Sequence, residues 1–396
     1  MEVAEERMTT SISTAELERR WQAMREMMAR RQIDYLLARN DEEFLGGYVR
    51  WFTDLPARHN YPFTVIFPAE DEMTLISCGP AAPAAPAPPP WAVRGVKRRL
   101  SAPYFPSAHY TGTYDAELAV GVLREKADAT VGLVGPAHIP MNFFAHLQAH
   151  LPGATFVDAT DDVDRLKAIK SPEERALIRE TAAMQDRALA HVQGMIRPGL
   201  REYEIYAEIL HFTSLQGSER QLILVGSGPQ GTPVPFAPRR FQNRVIQDGD
   251  QVSLLIEVNG PGGYYAELGR IFSLGEPCQA LQGAFTAACE AQQLSLEQIR
   301  PGADPGAIAA ENSAFLERRG YLPERRLYAH GQGYDLVERP LIRDDEPMPL
   351  QADMNLTVHP TATGDQVWAG VVDNYFVTAD GVSPCLHATP KEIIVL

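Results

Sequence analysis

Five side chains in the second half of the chain are of types that bind a cation: Glu257, Glu267, His330, His359 and Asp373. Two imidazoles beside carboxylates suit zinc, manganese or iron better than calcium, which prefers an all-oxygen shell. A divalent metal held there lowers the pKa of a water molecule and polarises a carbonyl. The same residues also suit a metal-free site, in which one glutamate, its pKa raised by burial, is the general base and His330 the acid. Each has a plainer reading as well. A glutamate on a strand is usually solvated or ion-paired, as Glu267 would be with Arg270, and His359 between Val358 and Pro360 reads equally as a satisfied buried histidine. His330 is the best marked, because Gly331 and Gly333 allow the backbone to approach closely. Gly226-Ser227-Gly228 lacks the spacing of a phosphate loop. The cluster Arg94, Lys97, Arg98 and Arg99 reads as solvated surface.

The elements that must position these groups fall into two parts. Leu17, Trp21, Met24 and Met28, at spacings of four, three and four, predict one apolar stripe on a helix over 14–31, with Ser13 as N-cap and Glu16 completing a capping box. Residues 33–39, 64–67, 73–77 and 130–135 read as buried strands, so strands alternate with helices over residues 1–160. The prolines of residues 79–91 forbid a central strand or helix interior and predict a surface excursion. A second domain is expected over 161–396. Its first long helix is announced by Ser171-Pro172-Glu173-Glu174, an N-cap, a proline at the first helical position and a capping-box glutamate.

That second part repeats itself. Ile196-Arg197-Pro198-Gly199 recurs as Ile299-Arg300-Pro301-Gly302, and the offset of 103 positions also relates Ile205 to Ile308, Gly217 to Gly320, and Asp250 to Asp353. Each half reads as a helical segment followed by a strand hairpin, which implies a pseudo-twofold α/β domain with a ligand cleft between its halves.

Bulk composition narrows the partners. The formal charge of −15, from 36 basic and 51 acidic side chains, argues against nucleic acid and against an anionic membrane surface. No run approaches the roughly 18 apolar residues of a membrane span. The acidic start Met1-Glu2-Val3-Ala4-Glu5 lacks the basic and apolar regions of a secretory signal. The four cysteines form no metal-type spacing and suit a reducing compartment. The expectation is a cytoplasmic protein acting on a small molecule.

Taken in order, KSPEE (170–174), the two Pro-Gly helix starts, residues 249–272, AHGQGYDLVERP (329–340) and NLTVHP (355–360) resemble the M24 or pita-bread family, whose members include methionine aminopeptidase, prolidase, aminopeptidase P, creatinase and ectoine hydrolase. The resemblance covers nearly the whole chain. It implies a creatinase-type N-terminal α/β domain followed by a pseudo-twofold pita-bread domain. Metalloenzymes of the family hold two metal ions with two Asp, one His and two Glu. By that register His330 matches the histidine and Glu267 the second aspartate, with Arg270 following. His359 stands at a glutamate position, Leu255 at the first aspartate, and the last glutamate falls on Val372 or Asp373. Glu257, two residues beyond Leu255, lies on the same strand face. Pro238 and Val337 replace two further family histidines.

These replacements set the functional expectation. They imply a hydrolase acting on a non-peptide C–N bond of a small carboxylated metabolite, with a lyase resembling the dimethylsulfoniopropionate lyase, or an inactive binding module, as alternatives. Cleavage of Xaa-Pro peptides is disfavoured. Glu257, Glu267, His330 and His359 are the expected catalytic unit, either glutamate serving as base. Arg58, near the place of creatinase's substrate-carboxylate arginine, is expected to bind substrate together with Tyr264, Arg270 and Asp373. The resemblance also implies a homodimer, each cleft capped by the partner's N-terminal domain.

Overall fold

A computed structural model describes residues 10–40, 42, 44–57, 61–81, 89 and 91–396. Its contacts divide the chain into two units, 1–167 and 168–396. In the first unit the apolar stripe does what its spacing requires. Ser13 Oγ accepts from the Glu16 amide at 3.1 Å, and the helix Thr14–Arg31 buries Leu17, Trp21, Met24 and Met28. A six-stranded mixed sheet follows, in the order Val96–Ala102, Met73–Cys78, Phe63–Pro68, Tyr35–Asn40, Thr130–Val134, Thr155–Asp158. Arg58 lies outside the described residues, as does most of the proline-rich run.

The second unit opens at the long helix Pro172–Gln193, where the Ser171 and Glu174 side chains each bond the other's backbone amide. The sequence repeat is a structural one. Helices Glu202–Ser214 and Pro305–Arg318 begin 103 residues apart, at the offset of the repeat. The Pro-Gly turns before them hold Gly199 and Gly302 at φ of 92° and 82°, a conformation that a side chain resists.

The unit contains two four-stranded sheets. One runs Ile394–Val395, Tyr265–Ser273, Asp250–Asn259, Gln221–Pro229; the other runs Glu338–Leu341, Ala329–Gly331, Asn355–Val358, Asp373–Phe376. A bridge between Gly269 and Val372 ties the two together. In the first sheet Val252, Leu254, Ile256, Val258, Leu268 and Phe272 enter a core with the helices. Period-two alternation then turns Leu255, Glu257 and Glu267 to the opposite face. In the second sheet Ala329, Leu356, Val358 and Tyr375 enter the core, which turns His330, Thr357 and Asn374 the other way. Among the described residues no helix is long and apolar enough to cross a membrane.

Candidate metal and acid–base site

Strand register brings the candidate groups into contact. Glu257 stands directly opposite Glu267 across the hairpin, and Leu255 opposite Gly269. In the second sheet His330, Thr357 and Asn374 form a row across three strands. The two faces are joined by hydrogen bonds: Thr357 Oγ1 donates to Glu267 Oε2 at 2.9 Å, and the Glu267 amide donates to Asn374 Oδ1 at 2.7 Å. Gln332 links the glutamates' surroundings, donating to Glu257 Oε1 at 2.9 Å and accepting from Asn374 Nδ2 at 2.9 Å. The two glycines of the histidine motif are sterically required. A Cβ on Gly331 would lie 2.4 Å from the Arg339 carbonyl oxygen, and one on Gly333 would lie 2.6 Å from the Glu338 carboxylate.

Among the described residues, Glu267, His330 and His359 each offer a ligand atom within 4.8 Å of the other two. His330 Nδ1 faces the Gly331 carbonyl oxygen at 2.9 Å. That bond fixes the neutral tautomer with its proton on Nδ1 and leaves Nε2 as an acceptor. His359 Nε2 is buried and has no hydrogen-bond partner among the described residues. The two rings meet edge to face, with centroids 5.2 Å apart. An orphaned imidazole nitrogen next to a carboxylate and a second free imidazole nitrogen fits a metal ion. Two His and one Glu make a catalytic zinc set of known type.

Electrostatics favour the same occupant. Burial first, and the facing Glu267 second, push the Glu257 carboxyl well above the usual carboxylate range. Burial also raises Glu267, against the opposing pull of His330 and Thr357. Burial pushes both imidazoles down to about 4, with His359 adding to the depression at His330. The site therefore holds neutral imidazoles and two carboxyls that resist joint ionisation, a combination that one added cation relieves.

The remaining expected residues lie elsewhere. Asp373 is one position out of phase with the ligand face, so Asn374 takes the place beside Thr357 while Asp373 points back into the protein. There it receives Arg270 Nη2 at 2.7 Å, with both side chains fully buried. All five N–H donors of Arg270 are committed, to Asp373 and to the carbonyls of Gly269, Val372, Thr389 and Pro390. Neither Asp373 as metal ligand nor Arg270 as substrate anchor survives this geometry. Tyr264 donates its hydroxyl to Glu174 at 2.9 Å and stacks on Tyr334, so that hydroxyl is not offered to a substrate. Gln332, Thr357 and Asn374 were not singled out in the sequence. Gln332 lies between the two motif glycines, and Thr357 sits two residues before His359, which was the available signal.

Comparison with known proteins agrees with this architecture. Residues 176–379 match the model of metallopeptidase family M24, and residues 20–169 match the creatinase/prolidase N-terminal domain. A probable dipeptidase PepE of Mycobacterium tuberculosis is 27% identical over 248 residues, which is 62% of this chain and 65% of that relative. The chain thus aligns with less than two-thirds of that relative's length. An Escherichia coli Xaa-Pro aminopeptidase is 28% identical over 52% of this chain and 51% of its own. Among solved structures, dipeptidase PepE of Mycobacterium ulcerans superposes with a TM-score of 0.78 at 22% identity, covering 97% of this chain and 99% of that one. X-Pro aminopeptidase of Thermotoga maritima superposes with 0.79 at 17% identity, covering 95% and 99%. These relatives are named as peptidases, which overturns the expected non-peptide C–N substrate, the lyase and inactive-module alternatives, and the case against Xaa-Pro peptides. That case rested on Pro238 and Val337, two single positions, and gave them more weight than similarity along the whole chain.

Proposed function

Because the chain belongs to metallopeptidase family M24, we propose that it is a hydrolase that cleaves the peptide bond of short peptides using one divalent metal ion held by Glu267, His330 and His359. The observation that carries this reading is the buried, unpartnered Nε2 of His359 beside the Glu267 carboxylate and His330. A second ion has no comparable set, since Leu255 and Val372 stand at two of the family's ligand positions and are apolar. When bound, the ion would polarise the scissile carbonyl and acidify the attacking water.

The protein's own groups supply the rest. Thr357 orients Glu267, and the bond to Gly331 sets the His330 tautomer. Glu257 is the proton carrier: it takes the proton that water loses as the O–C bond forms, and delivers one to the amine nitrogen as the C–N bond breaks. Gln332 holds its carboxyl in place for both tasks. Purified protein assayed against a dipeptide panel, with and without chelator, tests the reading. Cleavage that survives complete metal removal, or no cleavage by metal-loaded protein, would refute it.

We also propose that the protein works in the cytoplasm as a homodimer. The resemblance to creatinase-type enzymes supports this, as do four cysteines that are all free. Sedimentation as a monomer at micromolar concentration would rule the dimer out.

A further inference from the structure

The way Glu257 is held is decided at a backbone amide of the neighbouring strand. A main-chain N–H can only donate, so the Glu267 amide identifies the Asn374 atom facing it at 2.7 Å as the oxygen, Oδ1. His387 Nε2 lies 3.4 Å from the same oxygen. The other end of the Asn374 side chain is then Nδ2, a donor, which meets Gln332 Oε1 at 2.9 Å. Gln332 in turn directs Nε2 away from Asn374, donating to Glu257 Oε1 at 2.9 Å and to the Leu336 carbonyl at 3.3 Å.

Both ends of this chain demand the same orientation, because the Leu336 carbonyl can only accept. Gln332 and Asn374 are fully buried. Gln332 is also clamped to Asn355 by its own backbone: its carbonyl accepts Asn355 Nδ2 at 3.0 Å, and its amide donates to the Asn355 carbonyl at 3.2 Å. Turning over either side-chain amide would set donor against donor on one side and acceptor against acceptor on the other, with no water to relieve them. The chain thus brings one N–H to one oxygen of Glu257. The other oxygen, Oε2, has no hydrogen-bond partner among the described residues.

Resting on the reading of Glu257 as proton carrier, we propose that Asn374 is a positioning residue for that step. Through Gln332 it ties down Oε1, so that Oε2 is the oxygen that takes the proton from water and returns it to the amine nitrogen. Asn374→Asp keeps the size and the acceptor for the Glu267 amide but cannot donate to Gln332, which then turns its Nε2 toward position 374 and its oxygen toward Glu257. Asn374→Ser is too short to reach Gln332 at all.

The test measures kcat, KM and metal content for dipeptide cleavage by both variants, each made in wild type and in Glu257→Gln protein. In wild type Asn374→Ser should lower kcat by about ten-fold, and Asn374→Asp by more, with KM and metal content close to unchanged. In the Glu257→Gln background the same changes should alter the residual kcat by less than about two-fold, because the group they act through is gone. A role confined to structure, or to supporting Glu267, would give equal losses in both backgrounds, or a loss of metal, and would overturn the proposal. Nuclear magnetic resonance of isotope-labelled glutamine side chains in zinc-loaded protein reads the chain without a substrate. The Gln332 amide signal, assigned by its absence from Gln332→Met, should shift in both Asn374 variants; a signal indifferent to them also overturns the proposal. If wild type cleaves no peptide, the peptidase reading fails on its own, and the amide signal alone decides whether Asn374 orients Gln332.

Discussion

Replacing His330 by asparagine should make the metal-free protein less sensitive to acid. The ring is 4% exposed, and burial with the neighbouring His359 brings its pKa down from 6.5 to about 4. At pH 7 it is neutral in both folded and unfolded chains. As pH falls, the unfolded chain takes up its proton first. A depressed folded pKa means that stability present above pH 6.5 is lost as pH falls toward 4. For these two values, linkage gives a loss of about 2 kcal/mol between pH 7 and pH 5, and about 3 kcal/mol by pH 4. Asparagine keeps a donor near the Gly331 carbonyl but cannot take a proton. The assay is urea unfolding at pH 7 and pH 5 in chelator, followed by circular dichroism, with the pH difference rather than the absolute stability as readout. The variant should lose about 2 kcal/mol less than wild type over that interval. An identical loss in both proteins would refute the claim that His330 is buried and neutral. Added metal should protect wild type across the same range, because protons and the ion compete for one nitrogen.

Three further outcomes follow from the site. Glu257→Gln should lower kcat by about 100-fold or more with the fold retained. Because burial raises that carboxyl's pKa, its ionisation costs stability as pH rises above the ordinary range. The variant's melting temperature should therefore exceed wild type's at pH 7, with the gain vanishing near pH 4; a lower melting temperature at pH 7 would contradict the burial argument. Metal analysis of saturated protein should give one ion per chain, and His359→Ala should lose it; two ions per chain would mean that other groups complete a second site. Asp373→Asn should cost about 3–5 kcal/mol of stability by stranding buried Arg270, yet leave metal content unchanged, and loss of metal in that variant would return Asp373 to the ligand set.

Much of this was legible because local rules and the fold agree. The Leu17–Met28 stripe lies within a single helix and the Ser171 capping box within one helical turn, so propensity and side-chain spacing were enough. The 103-residue offset was legible because a Pro-Gly turn demands a particular backbone at Gly199 and again at Gly302. Glu267, His330 and His359 could be proposed from motifs. Their convergence depends on two sheets separated by tens of residues, which no local signal encodes. Asp373 shows the limit most clearly. A shift of one residue on a strand reverses the face, and the sequence left Val372 and Asp373 as rival readings of one position. The fully buried pair with Arg270 decides it.

The same register explains why the site changed as it did. A two-ion site of the family type needs carboxylates on both sheets, and here Leu255 and Val372 occupy two of those places while His359 occupies a third. Replacing an anion by neutral imidazole, and two ligands by apolar side chains, removes three negative charges from a buried space. That space could not hold them without a second cation. The charge left on the first sheet is the Glu257–Glu267 pair, placed opposite each other across the hairpin. On the proposed reading Glu267 is a ligand of the one divalent ion, while Glu257 lies outside the ligand group and keeps a carboxyl that can exchange a proton. The proposed one-ion site and the proposed acid–base role of Glu257 are therefore linked: the strand position two residues beyond Leu255 keeps a buried carboxyl facing Glu267 that the ligand group does not use.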